Sequence, residues 1–279
     1  MKIIKTFLEL KEQLLTLHSG NQTLGFVPTM GALHKGHLSL LQKSQKENSN
    51  SLVSIFVNPT QFNDIKDYNE YPVQLENDIE KLENAKCSFL FLPDVTEVYT
   101  KEEKKRVYFL TPLDEVLEGK FRPGHFQGVC QIIDKFLTFI QPNKLYLGQK
   151  DYQQYLVLKR MVKEKFPSIQ IQLGDTIREE SGLALSSRNL KLSKENQSLA
   201  SELYKTLLSF KENFNKDRKK ISNYYLASIQ HLEKLNIKVE YLKLCNRETL
   251  KESENGNHLI LLIAAVINGI RLIDNIYID

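Results

Sequence analysis

The chain has 279 residues, of which 41% are hydrophobic and 26% are charged, and its formal net charge is +4. This composition is typical of a globular protein of one large or two ordinary domains, and the small net charge gives no indication of a nucleic-acid partner. The longest apolar run, at 259–267, is much shorter than the ~18 to 20 residues of a membrane span, so we expect no membrane partner. The charged N-terminus does not resemble a signal peptide, which favours a cytoplasmic location. The three cysteines are far apart and form no CxxC pair, which excludes a disulfide framework and predicts buried thiols.

The first ninety or so residues alternate between helical and strand-like apolar patterns. They predict, in order, a helix at 7–18, a strand at 24–27, a helix from His37 to about Glu47, a strand at 52–57, a helix at 74–86 and a strand at 88–93. The nearly continuous apolar character of the strands is typical of a parallel sheet that is covered on both faces. We therefore predict an α/β fold with a Rossmann-like, doubly wound parallel sheet. Such sheets bind ligands beyond the carboxyl ends of their strands.

The middle of the chain continues this alternation. A charge run at 100–107 predicts a solvated loop or sheet edge. The elements predicted after it are a basic turn at 119–126, a long apolar helix at 129–140, a strand at 144–147, a helix that opens at 148–151 and a final strand at 169–173.

The last hundred residues have a different pattern, which predicts a separate α+β domain. Two lysine-rich helices are expected at 194–212 and 219–235, followed by strands at 237–244, 259–267 and 270–273. Asn268-Gly269 between the last two strands is a strong hairpin signal. We accordingly expect a nucleotide- and substrate-binding domain at 1–176 and a smaller domain at 177–279. The basic stretch at 191–220 is interpreted as a solvated helix face, and RNA binding is the alternative.

The segment 28–37, PTMGALHKGH, places His34 and His37 at the start of a helix that follows a strand and a tight glycine-containing loop. A helix N-terminus carries unsatisfied N–H groups and a partial positive charge, so it suits a phosphate. Imidazoles at that position can donate to the same anion. Two other interpretations are an ordinary polar surface and a metal site, although no third ligand lies nearby in sequence.

Four further polar clusters interrupt the regular elements, around residues 58–61, 122–125, 150–154 and 186–188. None has the arrangement of a nucleophilic triad. There is no GxxxxGK[ST] loop and no GxGxxG after the first strand, which disfavours a P-loop enzyme and a dinucleotide dehydrogenase. Imidazoles, a lysine, arginines, hydroxyls and a helix N-terminus together indicate phosphate chemistry, in which protein groups position and neutralise the phosphates.

Six ordered segments resemble those of the pantothenate synthetases, the pantoate–β-alanine ligases of the HxGH nucleotidyltransferase superfamily. They are PTMGALHKGH (28–37), SIFVNPTQF (54–62), RPGHFQGV (122–129), GQKDYQQ (148–154), LALSSRN (183–189) and RLIDN (271–275). The resemblance implies that (R)-pantoate reacts with ATP to give pantoyl adenylate and pyrophosphate, and that β-alanine then displaces AMP to give pantothenate. It also implies Mg²⁺ with the nucleotide and a homodimer. The alternative is a nucleotidyltransferase of the same superfamily that acts on another small substrate.

The resemblance implies roles for individual residues of this chain. Catalysis would involve His37 as general acid, His34 as a phosphate contact and Lys150 on the phosphates. The ATP site would comprise Met30, Gly31, Ala32, Leu33, His34, Lys35, Gly36, His37, Gly148, Gln149, Lys150, Asp151, Ile177, Leu185, Ser186, Ser187 and Arg188. Pantoate and β-alanine would contact Gln61, Gln154, Asn58 and Arg122. The second domain would act as a lid that excludes water from the acyl adenylate.

Three positions depart from the family pattern. Gln149 stands where Glu is usual, Thr60 where Met is common and Val73 where Arg is usual. None of the three removes a catalytic group that the resemblance implies. Gln149 removes a charge beside Lys150, which is expected to affect the affinity for ATP or Mg²⁺.

Overall fold

The structure is a computed structural model that describes residues 1–100 and 106–278. Most of the charge run predicted at 100–107 lies outside the described residues. The chain forms two compact units. The first comprises Met1–Gly148 and Gln153–Asp175, and the second comprises Gln149–Tyr152 and Thr176–Asp279.

The first unit contains a six-stranded sheet in the order β1-β4-β3-β2-β5-β6, and the pairs between its strands are parallel. Its strands are β1 (Lys2–Ile4), β2 (Leu24–Thr29), β3 (Asn50–Ile55), β4 (Phe89–Phe91), β5 (Lys144–Gly148) and β6 (Gln170–Gly174). The helices that lie between these strands along the chain are α1 (Phe7–Ser19), α2 (Lys35–Glu47), α3 (Ile65–Asn69), α4 (Leu75–Asn84), α5 (Val95–Val98), α6 (Glu118–Phe121), α7 (His125–Ile140) and α8 (Tyr152–Lys165). The predicted α/β class with a parallel sheet is confirmed.

Alternate residues of β2 face two different cores, as expected for a buried strand. Phe26 contacts Phe136 of α7, with ring centroids 6.2 Å apart. Val27 belongs to a separate cluster with Leu41 of α2 and Leu82 of α4. Helices therefore cover both faces of the sheet, and the loop after β2 leaves it at a carboxyl end.

Strand β1 was not predicted, because it spans three residues and only Ile4 of them is buried. It pairs in parallel with β4, which places it at the edge of the sheet. Helix α2 begins at Lys35, two residues before the predicted start, and His34 is its N-cap. Strand β3 ends at Ile55 rather than at 57.

The second unit has a three-stranded antiparallel sheet packed against two helices. Its elements are α9 (Lys194–Lys216), α10 (Ile221–Lys234), β7 (Lys238–Asn246), β8 (Leu259–Ile267) and β9 (Ile270–Ile278). Phe210 and Phe214 of α9 lie in a core cluster with Ile263 of β8. The predicted hairpin is confirmed, since Ile267 pairs with Ile270 across Asn268-Gly269. Strand β9 continues beyond the predicted end at 273, to Ile278.

The three cysteines are free and buried, as predicted. Burial raises the pKa of the Cys87 thiol to about 11 and the pKa values of Cys130 and Cys245 to about 12. Thiols with such high pKa values are mostly protonated at neutral pH and are poor nucleophiles. Within residues 1–100 and 106–278, no helix combines the length and the hydropathy that a membrane crossing requires.

Candidate active site

His34 and His37 form a reciprocal cap at the N-terminus of α2. The backbone N–H of Gly36 donates to Nδ1 of His34 at 3.2 Å, and the backbone N–H of His34 donates to Nδ1 of His37 at 3.3 Å. The ring centroids lie 3.9 Å apart and both side chains are half-buried. The pair thus acts like a capping box in which imidazoles replace the usual hydroxyl and carboxylate.

These bonds fix the tautomer of both rings. A nitrogen that accepts an N–H carries no proton, so each neutral imidazole is protonated at Nε2. Two Nε2–H donors therefore stand at the positive end of α2, whose first turn has no acidic residue. This arrangement suits an anion such as a phosphate.

The loop between β2 and α2 has an unusual backbone that a buried carboxylate holds in place. Gly31 and Ala32 have φ values of +83° and +48°. This left-handed conformation turns successive backbone N–H groups toward one side. Together these groups form a concave site of the kind that binds anions. Asp78 of α4, which is fully buried, fills it: its carboxylate accepts from the N–H groups of Ala32 and Leu33, both at 2.7 Å.

Lys81 lies one turn after Asp78 on α4 and contacts the same loop. Its Nζ donates to the carbonyl oxygen of Leu33 at 2.7 Å. Burial raises the pKa of Asp78, and the two backbone donors and Lys81 oppose that rise. Helix α4 therefore holds the loop that leads into the two histidines. Sequence reasoning missed Asp78 and Lys81.

Gln61 lies in a 3-10 turn at Pro59–Gln61, just beyond β3. Its side chain is held on both sides, because Nε2 contacts Sδ of Met30 at 3.0 Å and Oε1 accepts from Asn58 at 3.1 Å. Asn58 is 1% exposed and is used within the protein: its oxygen accepts from the Tyr99 hydroxyl at 2.6 Å, and its NH₂ also donates to the carbonyl of Gly128. The structure thus places Gln61 beside the loop that carries the histidines, and gives Asn58 a role in supporting Gln61.

Helix α7 supports the backbone of Gln61. Nδ1 of the buried His125 lies 2.8 Å from the carbonyl oxygen of Gln61 and donates to it. Arg122 approaches the same oxygen at 3.5 Å and pairs with Glu118 at 3.9 Å. Gly128 permits close contact, since a Cβ at that position would lie 2.3 Å from the carbonyl oxygen of Thr60.

The two glutamines of α8 have different environments. Gln153 is buried, and its amide bonds the backbone of Leu113, Val116 and Glu118. Gln154, the residue predicted to contact pantoate, is half-buried. The neighbouring Gln153 therefore fixes the loop that leads to α6.

In the second unit, the segment Gln149–Tyr152 lies against β9. The NH₂ of Asn275 donates to the carbonyl oxygens of Gln149 and Lys150, at 3.0 and 2.9 Å. The Lys150 side chain is 17% exposed, and its Nζ lies 3.7 Å from the carboxylate of Asp151. Gly148, which precedes the segment, ends β5 in the first unit.

The other predicted ATP-site residues of this unit, Ile177 and 185–188, lie at and just after a small bridged turn. The N–H of Leu185 donates to the carbonyl of Ile177 at 2.9 Å, so these two predicted ATP-site residues are neighbours. Ser186 caps a 3-10 helix at Ser187–Lys191, where its hydroxyl accepts from the N–H of Arg188 at 3.3 Å. Helix α9 has its own cap, Ser193.

The three positions that depart from the family pattern have different environments. Gln149 donates from its amide to Oδ1 of Asn275 at 3.3 Å. The hydroxyl of Thr60 donates to Oδ1 of Asn58 at 2.9 Å. Val73 is 71% exposed. Two of the departures therefore join hydrogen-bond networks close to predicted site residues, and the third lies on the surface. In the part of the chain that the structure describes, no group of three or more His, Cys, Asp or Glu side chains could hold a metal ion.

Comparisons with known proteins cover the whole chain. A family model described as pantoate-beta-alanine ligase matches residues 2–277. The pantothenate synthetase of Cytophaga hutchinsonii is 42% identical over 262 residues, which cover 92% of each protein. The pantothenate synthetase of Fervidobacterium nodosum is 38% identical over 280 residues, the full length of both.

Two solved structures of proteins with these names also match the chain over nearly its whole length. A crystal structure of pantothenate synthetase from Thermus thermophilus matches with a TM-score of 0.93 at 36% identity, and the match covers 100% of this chain and 99% of that one. The pantoate-beta-alanine ligase of Francisella tularensis, complexed with beta-gamma ATP and beta-alanine, matches with a TM-score of 0.82 at 36% identity over 99% and 97% of the two chains. The chain therefore belongs to the pantoate–β-alanine ligase family.

Proposed function

We propose that the chain activates (R)-pantoate with ATP and then joins it to β-alanine, so that pantothenate, AMP and pyrophosphate are formed. Membership of the family makes it an amide-forming ligase of pantothenate biosynthesis. The Francisella relative, which was crystallised with an ATP species and β-alanine, supports ATP as the co-substrate and β-alanine as the amine.

The proposed reaction has two displacement steps. A carboxylate oxygen of pantoate first attacks the α-phosphorus of ATP, and the bond to the bridging oxygen breaks as pyrophosphate leaves with the electron pair. The amine of β-alanine next attacks the acyl carbon. The bond between that carbon and the AMP oxygen breaks, AMP leaves, and the new amide nitrogen gives up a proton. The first step needs positioning and charge neutralisation rather than a protein nucleophile.

The observation that carries the proposal is the reciprocal cap of His34 and His37 at the N-terminus of α2, which makes Nε2–H the donor of each neutral ring. Negative charge grows on the phosphate oxygens and on the departing pyrophosphate during the first step. Imidazole N–H groups beside a helix N-terminus stabilise such charge without reorganisation. In this scheme His37 donates an Nε2–H hydrogen bond to the reacting phosphates, and His34 binds them.

Other residues are assigned to the substrates. The Gln61 amide is suited to the hydroxyl and carboxylate groups of pantoate, because its position is held by Met30 and Asn58. Gln154 and Arg122 would complete the acid site. Lys150 would neutralise phosphate charge, and Ser186 to Arg188 would bind the nucleotide. Mg²⁺ would be held mainly by phosphate oxygens, as is usual for this ion, and would reduce the charge on the phosphates.

Replacement of His37 tests the proposal. We expect His37→Ala to lower the rate of pyrophosphate release by ~10²-fold or more, the usual effect of losing an acid or charge stabiliser. His231→Ala, at a half-exposed histidine of α10, is the matched control and should retain the wild-type rate. A near-normal rate for His37→Ala would refute the assigned role.

Omission of β-alanine distinguishes the ligase from a nucleotidyltransferase of the same superfamily. With pantoate alone, the ligase should release pyrophosphate only in a single-turnover burst, because the adenylate stays bound. Continued turnover that leaves a stable adenylated product would favour the nucleotidyltransferase.

A further inference from the structure

Strand β9 contains two adjacent polar residues, Asp274 and Asn275, that are 4% and 1% exposed. Both lie in a strand whose other buried residues are apolar. Buried polar groups destabilise a protein unless they are hydrogen-bonded, so their partners indicate what they do.

The side-chain amide of Asn275 bonds to two residues of the segment Gln149–Tyr152. Its NH₂ donates to the carbonyl oxygens of Gln149 and Lys150, at 3.0 and 2.9 Å, and its Oδ1 accepts from Nε2 of Gln149 at 3.3 Å. The orientation of the amide follows from these partners, because two carbonyl acceptors can bond only to the NH₂. One buried side chain thus holds two consecutive peptide groups.

Asn275 is itself rigidly supported. Oδ1 of Asp274 accepts from the backbone N–H of Asn275 at 2.8 Å. Asp274 in turn binds Arg178 through both carboxylate oxygens, at 2.6 and 2.8 Å, and the Arg178 guanidinium lies 3.6 Å from the centre of the Tyr204 ring. Bidentate and stacked arginines are strongly oriented, so the amide has little freedom to follow a moving segment.

A ring contact gives β9 a second attachment to the same segment. Tyr277, two residues after Asn275, packs edge-on against Tyr152 with ring centroids 5.8 Å apart. Lys150 lies in a 3-10 turn that joins β5 to α8. Asn275 holds the carbonyl groups of Gln149 and Lys150, and Tyr277 contacts the chain two residues later, at Tyr152. The backbone of Lys150 is therefore fixed on both sides.

We infer that Asn275 is a positioning residue for the first step of the reaction, which sets the direction of Lys150 by fixing the carbonyl groups of Gln149 and Lys150. This inference rests on the proposed function, in which Lys150 neutralises phosphate charge. A misplacement of about 1 Å is enough to lower a rate by ~10²-fold.

Two substitutions test the effect on rate. Asn275→Asp keeps the shape but replaces the NH₂ with an oxygen that faces two carbonyl oxygens, and Asn275→Ala removes the amide. We expect each to lower kcat for pyrophosphate release by ~10- to 100-fold, with less than about a threefold change in the KM for pantoate. Asn223→Asp, the same change at an exposed position of α10, should leave kcat unchanged.

A double-mutant cycle with Lys150→Met separates positioning from general damage to the fold. If Asn275 acts through Lys150, Asn275→Ala should lower the rate of the Lys150→Met protein by less than about threefold, although it lowers the wild-type rate much more. Effects that multiply would overturn the inference, as would a wild-type kcat in both Asn275 variants. All proteins are assayed at a temperature below their melting transitions, so a loss of stability alone is not counted.

The outcomes distinguish this inference from the proposed function. If the wild-type protein releases no pyrophosphate with pantoate and ATP, the proposed function fails. If the wild type is active and the two substitutions are not coupled, the function stands and only the role of Asn275 is rejected.

Discussion

Asp78→Asn is the substitution that most directly tests how the histidine loop is held. Asp78 is fully buried, and its two oxygens accept from the N–H groups of Ala32 and Leu33 at 2.7 Å each. Asparagine has almost the same shape but offers only one oxygen. Its NH₂ would face one of the two N–H groups, and that donor would be left unpaired inside the protein.

The change in the free energy of unfolding caused by Asp78→Asn is the difference between lost hydrogen bonds and relief from a buried charge. A hydrogen bond to a charged group is worth about 1.5 to 3 kcal/mol, and an unpaired buried donor costs about 1 to 3 kcal/mol. Loss of the buried charge offsets part of this, because burial already raises the pKa of Asp78 and so opposes its ionisation. We expect the free energy of unfolding to fall by about 2 kcal/mol. We also expect pyrophosphate release to slow by ~10-fold or more, since the loop leads directly into His34.

The assay is urea unfolding followed by circular dichroism, because the chain has no tryptophan for fluorescence. Glu80→Gln removes an exposed carboxylate from the same helix and is the matched control, which should leave both stability and rate unchanged. An Asp78→Asn protein with wild-type stability and wild-type rate would refute the view that α4 holds the histidine loop through Asp78.

Two further predictions concern helix α7. Gly128→Ala would place a Cβ 2.3 Å from the carbonyl oxygen of Thr60, so we expect a loss of about 1 to 3 kcal/mol of stability and a raised KM for pantoate; an unchanged KM would argue against the supporting role of α7. Burial alone would raise the pKa of Asp134, but hydrogen bonds from Lys165 and Tyr108 hold the pKa below its usual value. A lowered pKa means that this carboxylate stabilises the fold fully above about pH 4 and loses that contribution as the pH falls further. The difference in urea midpoint between wild type and Asp134→Asn should therefore narrow below about pH 4, and a constant difference would contradict this account.

The elements that the sequence predicted best have strong local signals. Strand β8 has the bounds that its apolar run predicts, and Asn268-Gly269 marks the hairpin that follows. Strand β9 was predicted too short because Asp274 and Asn275 interrupt its apolar pattern. Their partners, Arg178 and Lys150, lie 96 and 125 residues away, so no local pattern reveals that these polar residues are buried.

Local signals likewise reveal only part of the candidate site. His34 and His37 stand out because a strand, a glycine turn and a helix surround them within a few residues. Asp78 lies 45 and 46 residues from the N–H groups that it binds, and on α4 it resembles an ordinary helical carboxylate. One signal could have found it: Asp78 occupies the same helix face as Leu82, where a charged residue is unexpected unless it has a buried partner.

Some expectations stay predictions. They include the domain boundary near 176, the role of the second domain as a lid, the roles of individual site residues, Mg²⁺, the homodimer and the cytoplasmic location. The family resemblance that the six ordered motifs indicated is confirmed, and with it the amide-forming ligase activity.

In the proposed reaction, pantoate attacks the α-phosphorus of ATP through its own carboxylate oxygen. The most direct measurement uses pantoate labelled with a heavy oxygen isotope in the carboxylate, with ATP and β-alanine, and mass spectrometry of every phosphate-containing product. We expect AMP to carry one labelled oxygen and pyrophosphate to carry none, because the acyl–oxygen bond breaks when β-alanine attacks. Labelled inorganic phosphate together with ADP, or AMP without label, would contradict the proposed reaction.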